Sequence, residues 1–261
     1  MNLWRYRHLV WQMAHREVVG RYRGSVMGLV WSFLNPIFML TIYTFVFSVV
    51  FQAKWGQSQG GGKAEFAIIL FAGLIVFNIF AEIVNKAPTL ILANANYVKK
   101  VVFPLEILPL VAIGATLFHA LVSVVVLLAF YFAVHMAIPW TVVFLPVVLF
   151  PLLLLTLGGT WFLASLGVYL RDVSQTIGLL TTALLFTSPI FFPISALPES
   201  LRPFVLLNPL AFIIEQARGV LIWGYLPDWK GLAVYLVGSA LIAWGGLFWF
   251  QKTRKGFADV I

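Results

Sequence analysis

Six stretches of this chain, residues 26–51, 66–81, 107–134, 141–170, 173–193 and 231–250, contain no lysine, arginine, aspartate or glutamate. Each reaches or approaches the length a helix needs to cross the hydrocarbon of a bilayer. A soluble domain must coat its outside with polar groups, and this chain lacks the means. It is 62% hydrophobic and only 10% charged. The bilayer is the solvent that tolerates such a composition. The expected fold is therefore an all-α membrane protein with six transmembrane helices, forming one domain over 1–261.

The segment 195–230 is the difficult part. Residues 204–226 are apolar on average, so a seventh crossing has to be considered. Asn208-Pro209 breaks such a helix, and Glu215 and Arg218 fall near its middle. Each charge there costs about 2.5–3.5 kcal/mol. An i,i+3 pairing of the two recovers only part of that. Two short re-entrant helices between spans five and six, on the external side, fit better. Their broken backbone must be buried in protein.

Charge placement supplies an independent orientation. With six spans and both ends inside, most of the 17 lysines and arginines fall on the inner face. Basic residues prefer that side. The net charge of +8 then reads as a meeting with anionic lipid, and nucleic acid is not expected as a partner. The expected location is the bacterial inner membrane, with cytoplasmic termini. Residues 1–23 hold five arginines and no unbroken apolar core, so they do not read as a cleaved signal.

On a helical wheel, Trp4, Trp11, Val18 and Tyr22 share one narrow sector. Arg5, Gln12, Arg16 and Arg23 share another. That pattern predicts an amphipathic interface helix within 1–24, with tryptophan at headgroup depth. Arg7 and Arg21 fall on or near the apolar side and must snorkel. The segment serves either as an orientation signal or as a platform that a cytoplasmic partner can push. Arg5, Arg16, Arg21 and Arg23 have the geometry for phosphate. Bulk phospholipid and the pyrophosphate of a lipid-linked substrate are both open as its source.

The motifs of independent chemistry are missing. Without cysteine there are no disulfides, thiolate metal sites or cysteine nucleophiles. Gly60-Gly61-Gly62-Lys63 resembles a phosphate loop only superficially, because Gln57 stands where its first glycine belongs and Ala64 replaces the magnesium-binding hydroxyl. His8, His15, His119 and His135 show no metal-site spacing. His119 lies inside span three, where it either faces a polar lumen or bonds to a neighbouring helix. Few acidic residues approach membrane depth, Glu82 foremost, and ion-coupled transport usually needs several. A membrane enzyme on lipid-linked sugars would want paired carboxylates at the inner face. Only Glu17, Glu106 and Asp172 are available there. The chain is expected to have no catalytic residues, no metal and no cofactor of its own.

The stretch Arg16-Glu17, Arg21-Tyr22-Arg23-Gly24-Ser25, Gly28 and Trp31-Ser32-Phe33-Leu34-Asn35-Pro36 resembles the opening of ABC-2 type transporter permeases. The nearest branch exports O-antigen polysaccharide or teichoic acid. The run Asn94-Ala95-Asn96-Tyr97-Val98-Lys99-Lys100-Val101-Val102-Phe103-Pro104-Leu105-Glu106-Ile107-Leu108-Pro109 is a second match. Tyr169-Leu170-Arg171-Asp172-Val173 is a third, and Asn208-Pro209 also fits. Members of the family often carry Arg-Glu after Phe-Pro, where this chain has Leu105-Glu106. The resemblance implies a homodimer of six-span subunits with two cytoplasmic ABC ATPase subunits, which bind the ATP and magnesium. It implies a lipid-pyrophosphate-linked polysaccharide as cargo, most simply O-antigen. An ABC-2 exporter of another amphipathic lipid or drug is the alternative, and a passive channel would need no ATPase.

Within that family the cytoplasmic coupling region falls at 86–106. Asn94, Asn96, Tyr97, Lys99, Lys100 and Phe103 would seat against the ATPase, with Arg171 and Asp172 from the next inner loop. An apolar knob with a basic collar suits a groove on a partner, although lysines there also satisfy orientation. For the channel lining, Tyr43, Phe47 and Phe51 recur on one face of span one. Thr181, Thr187, Ser188 and Phe191 come from span five. Aromatic faces let sugar rings slide past, and hydroxyls offer exchangeable hydrogen bonds. The same aromatics could equally pack or face lipid.

Overall fold

The computed structural model describes residues 3–50, 55, 63–99 and 103–261. Phe51, Lys100 and the Gly60–Gly62 triplet lie outside them. The described residues form helices: α1 Arg7–Tyr22, α2 Trp31–Tyr43, α3 Lys63–Lys86, α4 Ala95–Val98, α5 Leu108–His135, α6 Leu145–Tyr169, α7 Val173–Thr187, α8 Arg202–Leu206, α9 Pro209–Arg218, α10 Trp229–Thr253 and α11 Phe257–Val260. With their 3-10 or π extensions, five stretches are long and apolar enough to cross a membrane: Gly28–Phe47, Ala64–Thr89, Leu105–His135, Trp140–Tyr169 and Trp229–Val260. The fifth apolar run of the sequence gives a shorter helix. It stops at Thr187 because Ser188 turns extended ahead of Pro189, the conformation a residue before proline prefers.

The helix α3 is the core of the bundle. Its apolar residues, from Phe66 to Ile83, are almost all buried, whereas α2 and α10 turn much of their apolar surface outward. Around α3 pack α5, α6, α7, α9 and α2. The helices α6 and α10 pack closely along their length, and glycine makes it possible. A Cβ on Gly158 would stand 2.5 Å from the Ile242 carbonyl oxygen, and one on Gly246 would strike Gly158 itself. Small residues let backbones approach this closely in an apolar solvent.

Segment 195–230 does not form one continuous helix. After α8, Asn208 caps α9 by accepting from the Leu210 N–H, and Pro209 takes the first helical position. Both are preferred choices there. A π-helical stretch, Gly219–Trp223, follows and ends at Gly224 with φ of 70°. Its carbonyls find outside donors: Thr141 gives a hydrogen bond to Val220 (2.7 Å) and Tyr131 one to Ile222 (3.0 Å). Asp228 then caps α10.

Arg218 ties this segment down. Fully buried, it donates to the carbonyls of Ile69 (3.1 Å), Pro189 (2.6 Å) and Ile190 (3.0 Å), and to Glu215 (2.8 Å). The Trp55 ring lies 4.4 Å from its guanidinium carbon. The carbonyls freed where α7 breaks off are thus satisfied by a cation, as buried backbone requires.

The N-terminal helix departs from the wheel expectation. Met13, Ala14 and Val18 face the bundle and are buried against α5, while Trp4 and Trp11 stay exposed. The expected apolar sector is therefore split, with the protein-facing side centred nearer Ala14 and Arg21. At the other terminus, Phe257 is buried against Phe250 and Tyr169. Arg254 pairs with the buried Glu106 at the start of the third long helix.

Candidate functional site

Along α3 the polar residues Asn78, Glu82 and Asn85 recur at i, i+4 and i+7, which sets them on one face. Asn78 and Asn85 are exposed on a helix that is otherwise nearly all buried. They are exposed because that face borders an open cavity of about 440 Å³. The end of α1 contributes Arg21 and Tyr22, and α2 contributes Ser32, Asn35 and Tyr43. Thr116, His119 and Ser123 come from α5. A polar stripe on an apolar spanning helix is costly unless it meets water or a ligand.

Three ionisable groups meet in one wall. Arg21 Nη1 donates to Glu82 Oε1 at 2.5 Å and lies 3.0 Å from His119 Nδ1. His119 Nδ1 is 3.4 Å from the same carboxylate oxygen. The Tyr22 ring meets His119 edge-on at 6.0 Å. Arg21, which the wheel left on the wrong side, reaches toward the bundle because a carboxylate waits there. His119 both bonds to neighbouring helices and lines the cavity.

Beyond Tyr43 the polar wall gives way to rings. Phe47 stacks on Phe66 at 5.7 Å and on Phe191 at 5.8 Å, and Phe186 stacks on Phe191 at 5.8 Å. Two expected lining residues from distant spans, Phe47 and Phe191, are thereby in contact. Thr181 joins the polar wall by donating to Asn85 Oδ1 at 2.9 Å. Thr187 is exposed and borders a separate, mainly apolar groove with Phe192 and Phe204. Ser188 is buried and spent on structure: it donates to the Leu184 carbonyl and accepts from Asn208.

Of the expected coupling residues, Asn94 and Tyr97 lie against α1. Arg16 donates to the Tyr97 hydroxyl at 2.9 Å, and Tyr97 stacks on Phe103 at 4.3 Å. Glu17 pairs with Lys86 at the end of α3. Asn94 bonds back to the Leu90 carbonyl, leaving Asn96 and Lys99 exposed. Arg171 and Asp172 form the exposed turn between α6 and α7. Of the four candidate phosphate arginines, Arg16 and Arg21 are engaged within the chain, while Arg5 and Arg23 project outward.

Residues 8–222 match the model of the ABC-2 type transporter family. The chain belongs to the ABC-2 type transporter family. It is 30% identical over its whole length to the O-antigen export system permease protein RfbA of Myxococcus xanthus, covering 98% of that protein. A protein of the same name from Klebsiella pneumoniae is 25% identical over 95% of this chain and 93% of its own. The polysialic acid transport protein KpsM of Escherichia coli is also 25% identical, over 92% of this chain and 91% of its own.

Sequence reasoning about this ABC-2 transporter chain missed Asn35, Asn78, Asn85 and Ser123 as cavity residues. A signal for two of them was present, since Asn78 and Asn85 are seven apart within or beside an apolar run. Polar side chains at such depth and helical spacing point to a lumen.

Proposed function

We propose that this chain is the membrane-spanning subunit of an ATP-driven exporter of polysaccharide of the O-antigen class. Its polar cavity and aromatic ladder form one wall of the sugar path. The observation that carries this reading is the stripe of Asn78, Glu82 and Asn85 on a helix that is otherwise apolar and buried. Amides and a carboxylate offer donors and acceptors to sugar hydroxyls. The rings of Tyr43, Phe47 and Phe191 offer faces over which sugars slide. The names of its relatives support the same cargo class.

In this reading two copies of the chain assemble with two cytoplasmic ATPases, which bind ATP and magnesium. The protein lies in the inner membrane with both ends cytoplasmic. Val173–Thr187 and the residues that follow supply span five, which brings the crossings to six, and 195–230 is the external re-entrant segment. The cargo enters as a lipid-pyrophosphate-linked polymer, with Arg5 and Arg23 free to meet phosphate. Tyr97, Lys99, Arg171 and Asp172 receive the ATPase stroke. Arg16 passes it from Tyr97 to α1, and Glu17 and Arg21 pass it on to α3 and α5.

An Asn78→Trp substitution tests the path by filling the cavity. Polymer on the cell surface, measured by immunoblot, should fall at least about tenfold, because a blocked path stops a long chain outright. Purification after cross-linking should still recover the ATPase in a two-to-two ratio. Undiminished surface polymer would remove the cavity from the route.

A further inference from the structure

We propose that Glu82 makes this cavity a charge filter that favours uncharged glycans over polyanionic ones. The inference rests on the sugar path assigned above and goes beyond it to the class of polymer carried. The charged groups among the described residues lining the cavity are Arg21 and Glu82, with His119 beside them. Arg21 and Glu82 are in contact at 2.5 Å. The charges of Arg21 and Glu82 offset one another, so this pair adds no net charge to the wall. A site built to attract a carboxylate on every sugar would hold an excess of cations, as phosphate and carboxylate sites do.

The arrangement goes further than neutrality. The strongest donor in the cavity is the Arg21 guanidinium, and the chain's own carboxylate already engages its Nη1. An anionic sugar approaching Arg21 meets the negative charge of Glu82 at the same place. Glu82 thereby cancels the attraction that Arg21 alone would exert on an anion, an attraction worth about tenfold in binding in a partly enclosed site. The remaining polar groups, Asn35, Asn78, Asn85 and Ser123, are neutral and both donate and accept. They suit hydroxyls and acetamido groups. A neutral hydroxyl can also accept from Arg21 or donate to Glu82 without separating the pair.

The test uses the intact complex of permease and ATPase in detergent, with two fluorescent octasaccharides as probes. One is a neutral mannose octamer, and the other carries a carboxylate on every sugar. Kd is measured for each by fluorescence anisotropy, and the ratio of the two is compared. The ratio is insensitive to any loss of folded protein. The wild-type complex should prefer the neutral octamer, and Glu82→Gln should shift the ratio about tenfold toward the acidic one. Arg21→Gln, at a half-exposed position, should shift it the opposite way. Equal affinities in the wild type, or a ratio that Glu82→Gln leaves in place, would overturn the filter. The path itself stands or falls separately, on export by Asn78→Trp.

Discussion

Arg218 shows how much one side chain can decide. Three of its four donated hydrogen bonds join α9 to α3 and to the chain just after α7, and the fourth holds Glu215 within α9. Replacing it with methionine keeps the volume and leaves the buried Pro189 and Ile190 carbonyls without donors, while the Ile69 carbonyl keeps its partner within α3. Each such group costs about 1–3 kcal/mol. Arg218→Met should therefore lower unfolding stability by about 3 kcal/mol or more, read as a fall of the melting temperature in detergent. Gly73 protects the same node, because a Cβ there would sit 2.7 Å from Arg218 Nη2. The sequence made the charge at 218 legible only as an obstacle to a seventh helix. Its real partners lie as far as 149 positions away, and no local pattern announces a carbonyl. The i,i+3 pair with Glu215 was visible in the sequence and is present in the structure.

Among the elements, α1 carries the most information about coupling. Arg16, Glu17 and Arg21 link it to α4, to the end of α3 and to the cavity wall. The pair of Glu17 with Lys86 is partly exposed, so its net contribution to stability is at most about 1 kcal/mol. Glu17→Lys should leave the protein folded but reduce surface polymer severalfold. The double variant Glu17→Lys with Lys86→Glu should restore much of it. Failure of the swap to rescue export would show that the pair transmits nothing. Most long helices were readable from their uncharged runs, since the bilayer requirement leaves few alternatives. The orientation of α1 was not readable. Its tryptophans dominate the wheel, yet the side that meets the bundle is fixed by Met13, Ala14 and Val18 and by a carboxylate on another helix.

For the whole molecule, composition already enforced an all-helical membrane architecture and the order of its spans. The cavity was hidden, because it exists only where α1, α2, α3 and α5 meet, and its residues span positions 21 to 123. Tyr43 and Phe47 were legible as part of a periodic aromatic face of span one and Phe191 as a ring of span five, while the neutral amides were not. Accessibility tags at Met1 and Ile261 should both report the cytoplasmic face in inverted vesicles, as six crossings require. Labels on opposite faces would mean an odd number of crossings and would displace the proposed topology.

One consequence follows from the central place of α3. Hemmed in on nearly every side, that helix is the part of the bundle least able to shift. The amide-bearing strip along it behaves as a fixed rail. In the proposed exporter, a stroke arriving from the ATPase would swing α2 and α5 toward or away from it, so grip and release of the moving cargo would be adjustments of one jaw against a stationary one.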